Sequence, residues 1–548
     1  MIGVVTDPKN EAVVREFFEL FKTPWEFYRS GRRYDVLLCD RPGFNAAELV
    51  LTYASQDPPH ETPDKVDQGC SSTDGGHLVY KGLRLPIYGN KNTFPGKKHG
   101  VLVDAKSGEA ALHLERSGGT TLVRIGYDLF HEISTLLTSG QPASNASIPA
   151  LDLHIAVLRD VITSTGLQLI EIPPVPQGFQ FIACLTHDVD HPSISKHVFD
   201  HTMFGFLYRA IIGSPLDVLR RRLPVRVMLA NWVAALKLPL VHLGLAKDFW
   251  QTFDRYPKLE GGVRSSFFVI PFKGEAGRFE EGKAPQRRAS GYGAGEISRD
   301  ISALISAGCE VGLHGIDAWR DAAKGREELE EIRRVTGVRD VGVRMHWLYS
   351  DEHSPAILEN GGAEYDSTVG YNDAVGYRAG TTQVYKPLQA ARLLELPLHI
   401  MDTALFFPSR LQLSDSEANR LVDEIIDNAV RLGGVVTVNW HDRSIAPERL
   451  WGDFYAQLVE KLKNRGACFV TAGQAVTWFR KRRSASFEFD RQSDMLAVKD
   501  IFVQDPQLPA LLVRIHNDHS KVSADLSSTR ELPLRDGMQF ECLCCADI

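Results

Sequence analysis

Two carboxylates one residue apart close an apolar run at Leu185-Thr186-His187-Asp188-Val189-Asp190-His191. Where a strand breaks into a loop, such a pair can face one pocket. One carboxylate can then ligate a metal while the other takes a proton from the attacking water. Alone the pattern is weak, because Asp-x-Asp is common in calcium loops and turns. Three more polar stations follow it. His314 lies in Cys309-Glu310-Val311-Gly312-Leu313-His314-Gly315-Ile316-Asp317. A lone His is more often structural, but this one closes a second apolar run. Arg344 and His346 lie in Val343-Arg344-Met345-His346-Trp347. An Arg there can grip a carboxylate with two hydrogen bonds, and a His can ligate or shuttle protons. His441 lies in Val438-Asn439-Trp440-His441-Asp442. Four such stations at successive strand ends carry more weight than any one of them.

The elements between these stations are those needed to bring them together. From Phe181 to about Arg482, apolar runs alternate with helical stretches. The runs are Phe181 to Leu185, Ser266 to Ile270, Glu310 to Leu313, Gly342-Val343, Leu394 to Leu398 and Val435 to Val438. The helical stretches include Ala322 to Val335, Ser414 to Leu432 and Leu450 to Asn464. This alternation predicts parallel strands with crossover helices, in an α/β barrel or an open sheet. Such folds gather their chemistry at the carboxyl ends of the strands. All the runs but Ser266 to Ile270 are followed within a few residues by Asp, His or Arg.

In this order the motifs resemble the polysaccharide deacetylase (NodB-homology) family. Its Ser/Thr-Phe-Phe-Val strand is matched by Ser266-Phe267-Phe268-Val269. Tyr365-Asp366-Ser367-Thr368, Gly376-Tyr377-Arg378-Ala379-Gly380 and Glu395-Leu396-Pro397 also look like segments of bacterial relatives. Asp-Val-Asp in place of Asp-Asp-Gly looks like a variant branch with the metal-binding Asp displaced by one position. The resemblance implies a distorted (β/α) barrel over residues 177–483 and a metal-dependent hydrolase of N-acetyl groups on a sugar or glycan. It implies Asp188 as general base, oriented by Arg344, and His441 as general acid, held by Asp402. Asp190 and His314 would be ligands to a divalent metal, expected to be zinc. The family's third ligand, a His four residues after the first, is here Ala318. Asp317, His346 and His187 are the candidates to replace it. That departure keeps open a non-catalytic member that binds glycan or protein, and a hydrolase of a small amide is a further alternative.

The flanks are less telling. Residues 1–176 alternate strand-like and helical runs and read as an α/β accessory region, without the glycine-rich turn that a nucleotide site needs. Glu171-Ile172-Pro173-Pro174-Val175-Pro176 reads as a stiff connector, and residues 484–548 as a small β-rich module. Tyr53 to Gly76, rich in Asp, Pro, Ser and Gly, reads as a loop or partly disordered linker. A net charge of −7 over 548 residues argues against nucleic acid as a partner. The eight cysteines are scattered except for Cys542, Cys544 and Cys545, which suggests free thiols. The opening Ile2-Gly3-Val4-Val5-Thr6 lacks the features of a secretory leader, so a cytoplasmic location is expected. Residues 227–246 are apolar apart from Asn231, Lys237 and His242, follow Arg220, Arg221, Arg222 and Arg226, and contain Pro239. A buried or surface-seated amphipathic helical pair is favoured there, with peripheral contact at the inner membrane face as the alternative.

Overall fold

A computed structural model describes all residues except 45–46, 54–72, 95–99, 118, 280–281, 491–494, 500–506, 518–528, 536 and 542–548. The chain forms two compact units. One comprises Met1–Gly178, Ala379–Thr381 and Trp478–Ile548; the other comprises Phe179–Arg378 and Thr382–Thr477.

The second unit holds all four stations. Its strands are β1 (Phe181–Val189), β2 (Ser266–Val269), β3 (Glu310–Gly315), β4 (Val343–Met345), β5 (Ile400–Met401), β6 (Val435–Asn439) and β7 (Ala467–Phe469). They form one parallel sheet in the order β4-β3-β2-β1-β6-β5, with β7 beside the start of β1. Backbone bridges carry the curl onward from Val343 to Asp366 and from Asp366 to Glu395. The sheet is therefore the curled parallel sheet of a distorted (β/α) barrel, as the alternating pattern predicts. Every residue of β1 is buried, as a central parallel strand covered on both faces requires.

The crossover helices are equally well marked. Ala322–Thr336 starts on the Asp321 side chain, which accepts from the backbone N–H groups of Ala323 and Lys324. It stops at Gly337, whose φ of 73° suits the left-handed C-terminal position. Asp415–Leu432 begins with a capping box between Ser414 and Glu417. Gly342 lets strand β4 lie close to its neighbour: a Cβ there would come within 2.0 Å of the Tyr365 ring.

Three local expectations change. Leu394 to Leu398 pairs only through single bridges, and the regular strand is Ile400–Met401. Strand β7 and the helix Ser298–Ser306 were not foreseen. The expected helical pair is one helix, Val225–His242, with Pro239 in its last turn. A proline so near the end removes one backbone bond without breaking the helix.

The first unit contains a six-stranded sheet in the order Trp25–Phe27, Ile2–Val5, Tyr34–Cys39, Ala47–Tyr53, Thr120–Ile125, Leu112–Ser117. Within this unit Leu512–His516, from the C-terminal segment, pairs antiparallel with Leu169–Glu171. That ladder is locked by charge. The buried Glu171 carboxylate accepts from Arg159 Nε and Nη2 at 3.1 and 2.9 Å, from Arg514 Nη1 at 3.2 Å, and pairs with His516 Nε2 at 3.0 Å. Burial opposes its ionisation, but these cations hold its pKa far below the carboxylate range. A depressed pKa adds stability above the unfolded value of about 4.3 and loses it as pH falls. Glu171→Gln should therefore lower the stability of this unit by about 3 kcal/mol at neutral pH, measured by denaturant unfolding, and by less under acid conditions.

Four of the cysteines, Cys39, Cys184, Cys309 and Cys468, are free and buried. Cys70, Cys542, Cys544, Cys545 and residues 54–72 lie outside the described residues; at the ends of the stretch expected to be a loop, Tyr53 closes the strand Ala47–Tyr53 and Thr73 opens the strand Thr73–Tyr80.

Candidate metal and catalytic centre

Parallel pairing sets the four strand ends side by side. Asp188 on β1 lies opposite Phe268 on β2, and His314 on β3 lies opposite Arg344 on β4. Thr186 on β1 lies opposite Asn439 on β6, two residues before His441. Because side chains alternate along a strand, Thr186 and Asp188 share a face and His187 takes the other.

Asp190, His314 and His346 bring one carboxylate oxygen and two ring nitrogens within 4.8 Å of one another. His314 Nδ1 lies 2.9 Å from the carbonyl oxygen of Arg344. A carbonyl only accepts, so Nδ1 carries the proton and Nε2 presents its lone pair. That lone pair faces Asp190 Oδ1 at 3.3 Å. The His346 ring stacks on His314 at 4.9 Å between centroids, and its Nε2 is 3.9 Å from the same oxygen. Burial depresses the His346 pKa well below the ordinary value, keeping it neutral and able to ligate. Asp190 Oδ1 is buried without a hydrogen bond of acceptable geometry. Two imidazoles and a carboxylate converging with lone pairs inward fit a divalent transition metal such as zinc.

His346 reaches this point through a strained turn. Trp347 and Leu348, which follow it, have φ of 64° and 54°, rarely adopted by large side chains. Arg288 pins the turn, donating from Nη2 to the His346 and Ile316 carbonyls at 2.9 and 3.0 Å.

The other two ligand candidates lie elsewhere. Asp317 Oδ1 accepts from the Arg278 backbone N–H at 2.8 Å, and Asp317 is absent from the converging group. His187 is fully buried on the opposite face, with Nδ1 bonded to the Trp440 carbonyl and Nε2 to Glu260, each at 2.8 Å. Both its nitrogens are occupied. Ala318 is buried among apolar neighbours.

Asp188 stands beside the converging group, with Oδ2 3.9 Å from His314 Nε2. Its carboxylate accepts from Arg344 Nη1 at 3.1 Å and from Asn439 Nδ2 at 2.7 Å. Arg344 is held by further bonds: Nη1 to Thr186 Oγ1 at 2.6 Å, Nε to the Ser367 carbonyl at 2.9 Å, and Nη2 to Ser367 Oγ at 2.8 Å. Its guanidinium also lies 4.5 Å over the Phe268 ring. Asn439, Ser367 and Arg288 were not singled out from sequence. Asn439 and Ser367 lie within motifs of the sequence, but nothing in composition or spacing distinguishes a buried polar side chain that clasps a charged partner from one that fills a core.

His441 closes the other side. Its Nδ1 pairs with Asp402 Oδ1 at 2.6 Å, its backbone N–H donates to Asp402 Oδ2 at 2.7 Å, and its Nε2 lies 3.8 Å from Asp190 Oδ2. Burial alone would lower the His441 pKa, but the charge and hydrogen bond of Asp402, with Asp190 and Asp188 adding to them, push it up to about 9. Burial opposes the ionisation of Asp402, yet His441 holds its carboxyl below the ordinary value. The centre thus presents a converging donor set flanked by an anchored carboxylate and an imidazole held by a buried carboxylate.

No family model and no curated protein matches this chain. Among solved structures, it is similar to a protein named as a polysaccharide deacetylase of Mycobacterium smegmatis, at 19% identity over 57% of this chain and 95% of that one, with a TM-score of 0.35. A polysaccharide deacetylase from Bacillus cereus aligns at 12% identity over 53% and 91%, with a TM-score of 0.25. A carbohydrate esterase family 4 pseudoenzyme from Bacillus anthracis aligns at 12% identity over 54% and 65%, with a TM-score of 0.23. Likeness at this level assigns no residue a role.

Proposed function

We propose that the second unit is a metal-dependent hydrolase that removes N-acetyl groups from an N-acetylated sugar or glycan. One observation carries this reading: a carboxylate anchored by Arg344 and Asn439 and an imidazole held by Asp402 stand on either side of one converging Asp-His-His donor set. Asp190, His314 and His346 would hold the metal. When bound, a divalent cation such as zinc would polarise the amide carbonyl and make water more acidic.

Asp188 takes the proton of the attacking water, and Arg344 and Asn439 keep its carboxylate aimed. The water oxygen bonds to the acetyl carbon, the C–N bond breaks, and acetate leaves. His441 delivers the proton from Nε2 to the departing amine nitrogen, while Asp402 holds Nδ1–H and stabilises the imidazolium. Ala318 does not disable this arrangement, because His346 brings a third donor from another strand end.

The test is acetate release from N-acetylglucosamine oligomers by the metal-supplemented protein. Release by the wild type supports the reading. Glycan binding with no release would favour the binding-only alternative. His441→Ala should lower the release rate by about 10²- to 10³-fold with metal content unchanged. Equal loss of metal and activity would instead make His441 part of the donor set.

A further inference from the structure

We infer that the helical insert between β1 and β2 docks the protein on an anionic lipid bilayer. Among the described residues, sixteen of the 21 exposed large apolar side chains lie between Val198 and Leu245. Scattered apolar residues need no explanation, but so strong a concentration marks a contact surface. Phe199, Leu219 and Leu236 are each 80% exposed, and Leu243 is 71% exposed.

The helix Val225–His242 is held along one face only. Asn231, Ala234, Leu238 and Val241 are buried, and the three apolar ones pack in a cluster with Phe206, Trp250 and Ala446. Asn231 Nδ2 donates to Ser214 Oγ at 2.9 Å, and Asn231 Oδ1 accepts from the Glu448 backbone N–H at 2.8 Å. A helix fixed in this way cannot be surrounded by lipid, so it lies on a bilayer rather than crossing it. Its free face carries Leu229, Trp232, Val233, Leu236 and Leu240.

Charge selects the partner. Between Val198 and Lys247 there are seven Lys and Arg side chains against two acidic ones, in a chain of net charge −7. Arg220, Arg221, Arg222 and Arg226 are exposed at the start of the helix, and Lys237 is exposed along it. Basic side chains beside a row of exposed apolar ones match phosphate headgroups above acyl chains. A two-fold contact between copies would bring this arginine row toward its own counterpart. The insert leaves β1 directly after Asp190 and is tied to the loop after β6 by Arg209 Nε, which donates to Glu448 Oε2 at 2.9 Å. Docking would therefore hold the loops of the candidate centre near the bilayer surface.

The experiment is co-sedimentation of the full chain with phosphatidylcholine vesicles, with and without about 30% phosphatidylglycerol, at about 0.1 and 0.5 M salt. The wild type should sediment with the anionic vesicles at least about tenfold more tightly than with the neutral ones, and salt should weaken this. Leu236→Glu combined with Leu243→Glu should abolish it, and replacing Arg220, Arg221 and Arg222 by Gln should reduce it about 10²-fold. Unchanged circular dichroism would show that both variants fold. A wild type that stays in solution with both vesicles overturns the proposal. So does vesicle binding that the leucine variant retains. A dimer in sedimentation velocity that the leucine variant loses, without vesicle binding, would assign the face to a second copy. These readouts need no catalysis, so they stand or fall apart from the deacetylase reading.

Discussion

Asp188→Asn should lower the rate of acetate release by about 10³-fold while the protein keeps its metal. The amide is nearly isosteric and can still accept from Arg344, so the architecture around it should persist. It cannot take a proton from water at neutral pH. Arg344 would also lose its anionic partner while buried, so stability should fall by about 2 kcal/mol. Initial rates, metal content and denaturant unfolding on the same preparation separate these effects. A variant within tenfold of wild-type activity would remove Asp188 from the role of base.

Arg344→Lys should be nearly as damaging, although the charge is retained. The guanidinium joins Thr186 and Asp188 on one strand to Ser367 on the neighbouring segment through four hydrogen bonds, and it lies over Phe268. An ammonium is a compact, strongly hydrated charge that cannot span those acceptors in one plane. The expected result is a rate loss of about 10²-fold or more and a stability loss of about 3 kcal/mol, since buried acceptors lose their donors. Arg344 is a positioning residue, so the loss should fall on kcat more than on KM. A lysine variant with wild-type kcat would show that charge alone suffices at this position.

The barrel was legible because its strands are continuous apolar runs and its helices carry capping signals such as Ser414 with Glu417. The same patterning made Leu394 to Leu398 look like a regular strand, since burial in a loop that bridges strands also selects apolar residues. Strand β7 is only three residues long and gave no signal. For the site, the order of motifs pointed to the residues that converge, but it left three candidates for the last donor. Choosing His346 requires the direction in which each side chain leaves the backbone. That direction depends on the turn at Trp347 and Leu348, whose positive φ values no residue type there announces. His187 is removed by strand alternation and by the buried Glu260 opposite it, a residue distant in sequence. The pairing of Leu512–His516 with Leu169–Glu171 was equally hidden, because each short strand reads alone as the edge of something smaller.

Divalent metal content bears most directly on the central claim. It would be measured on the purified wild type after loading and buffer exchange, beside Asp190→Ala and His314→Ala. Near-stoichiometric retention by the wild type, lost in both variants, is the expected result. A folded wild type that retains no metal after loading would mean that the converging lone pairs of Asp190, His314 and His346 do not form a metal site, and the hydrolase reading would fail with them.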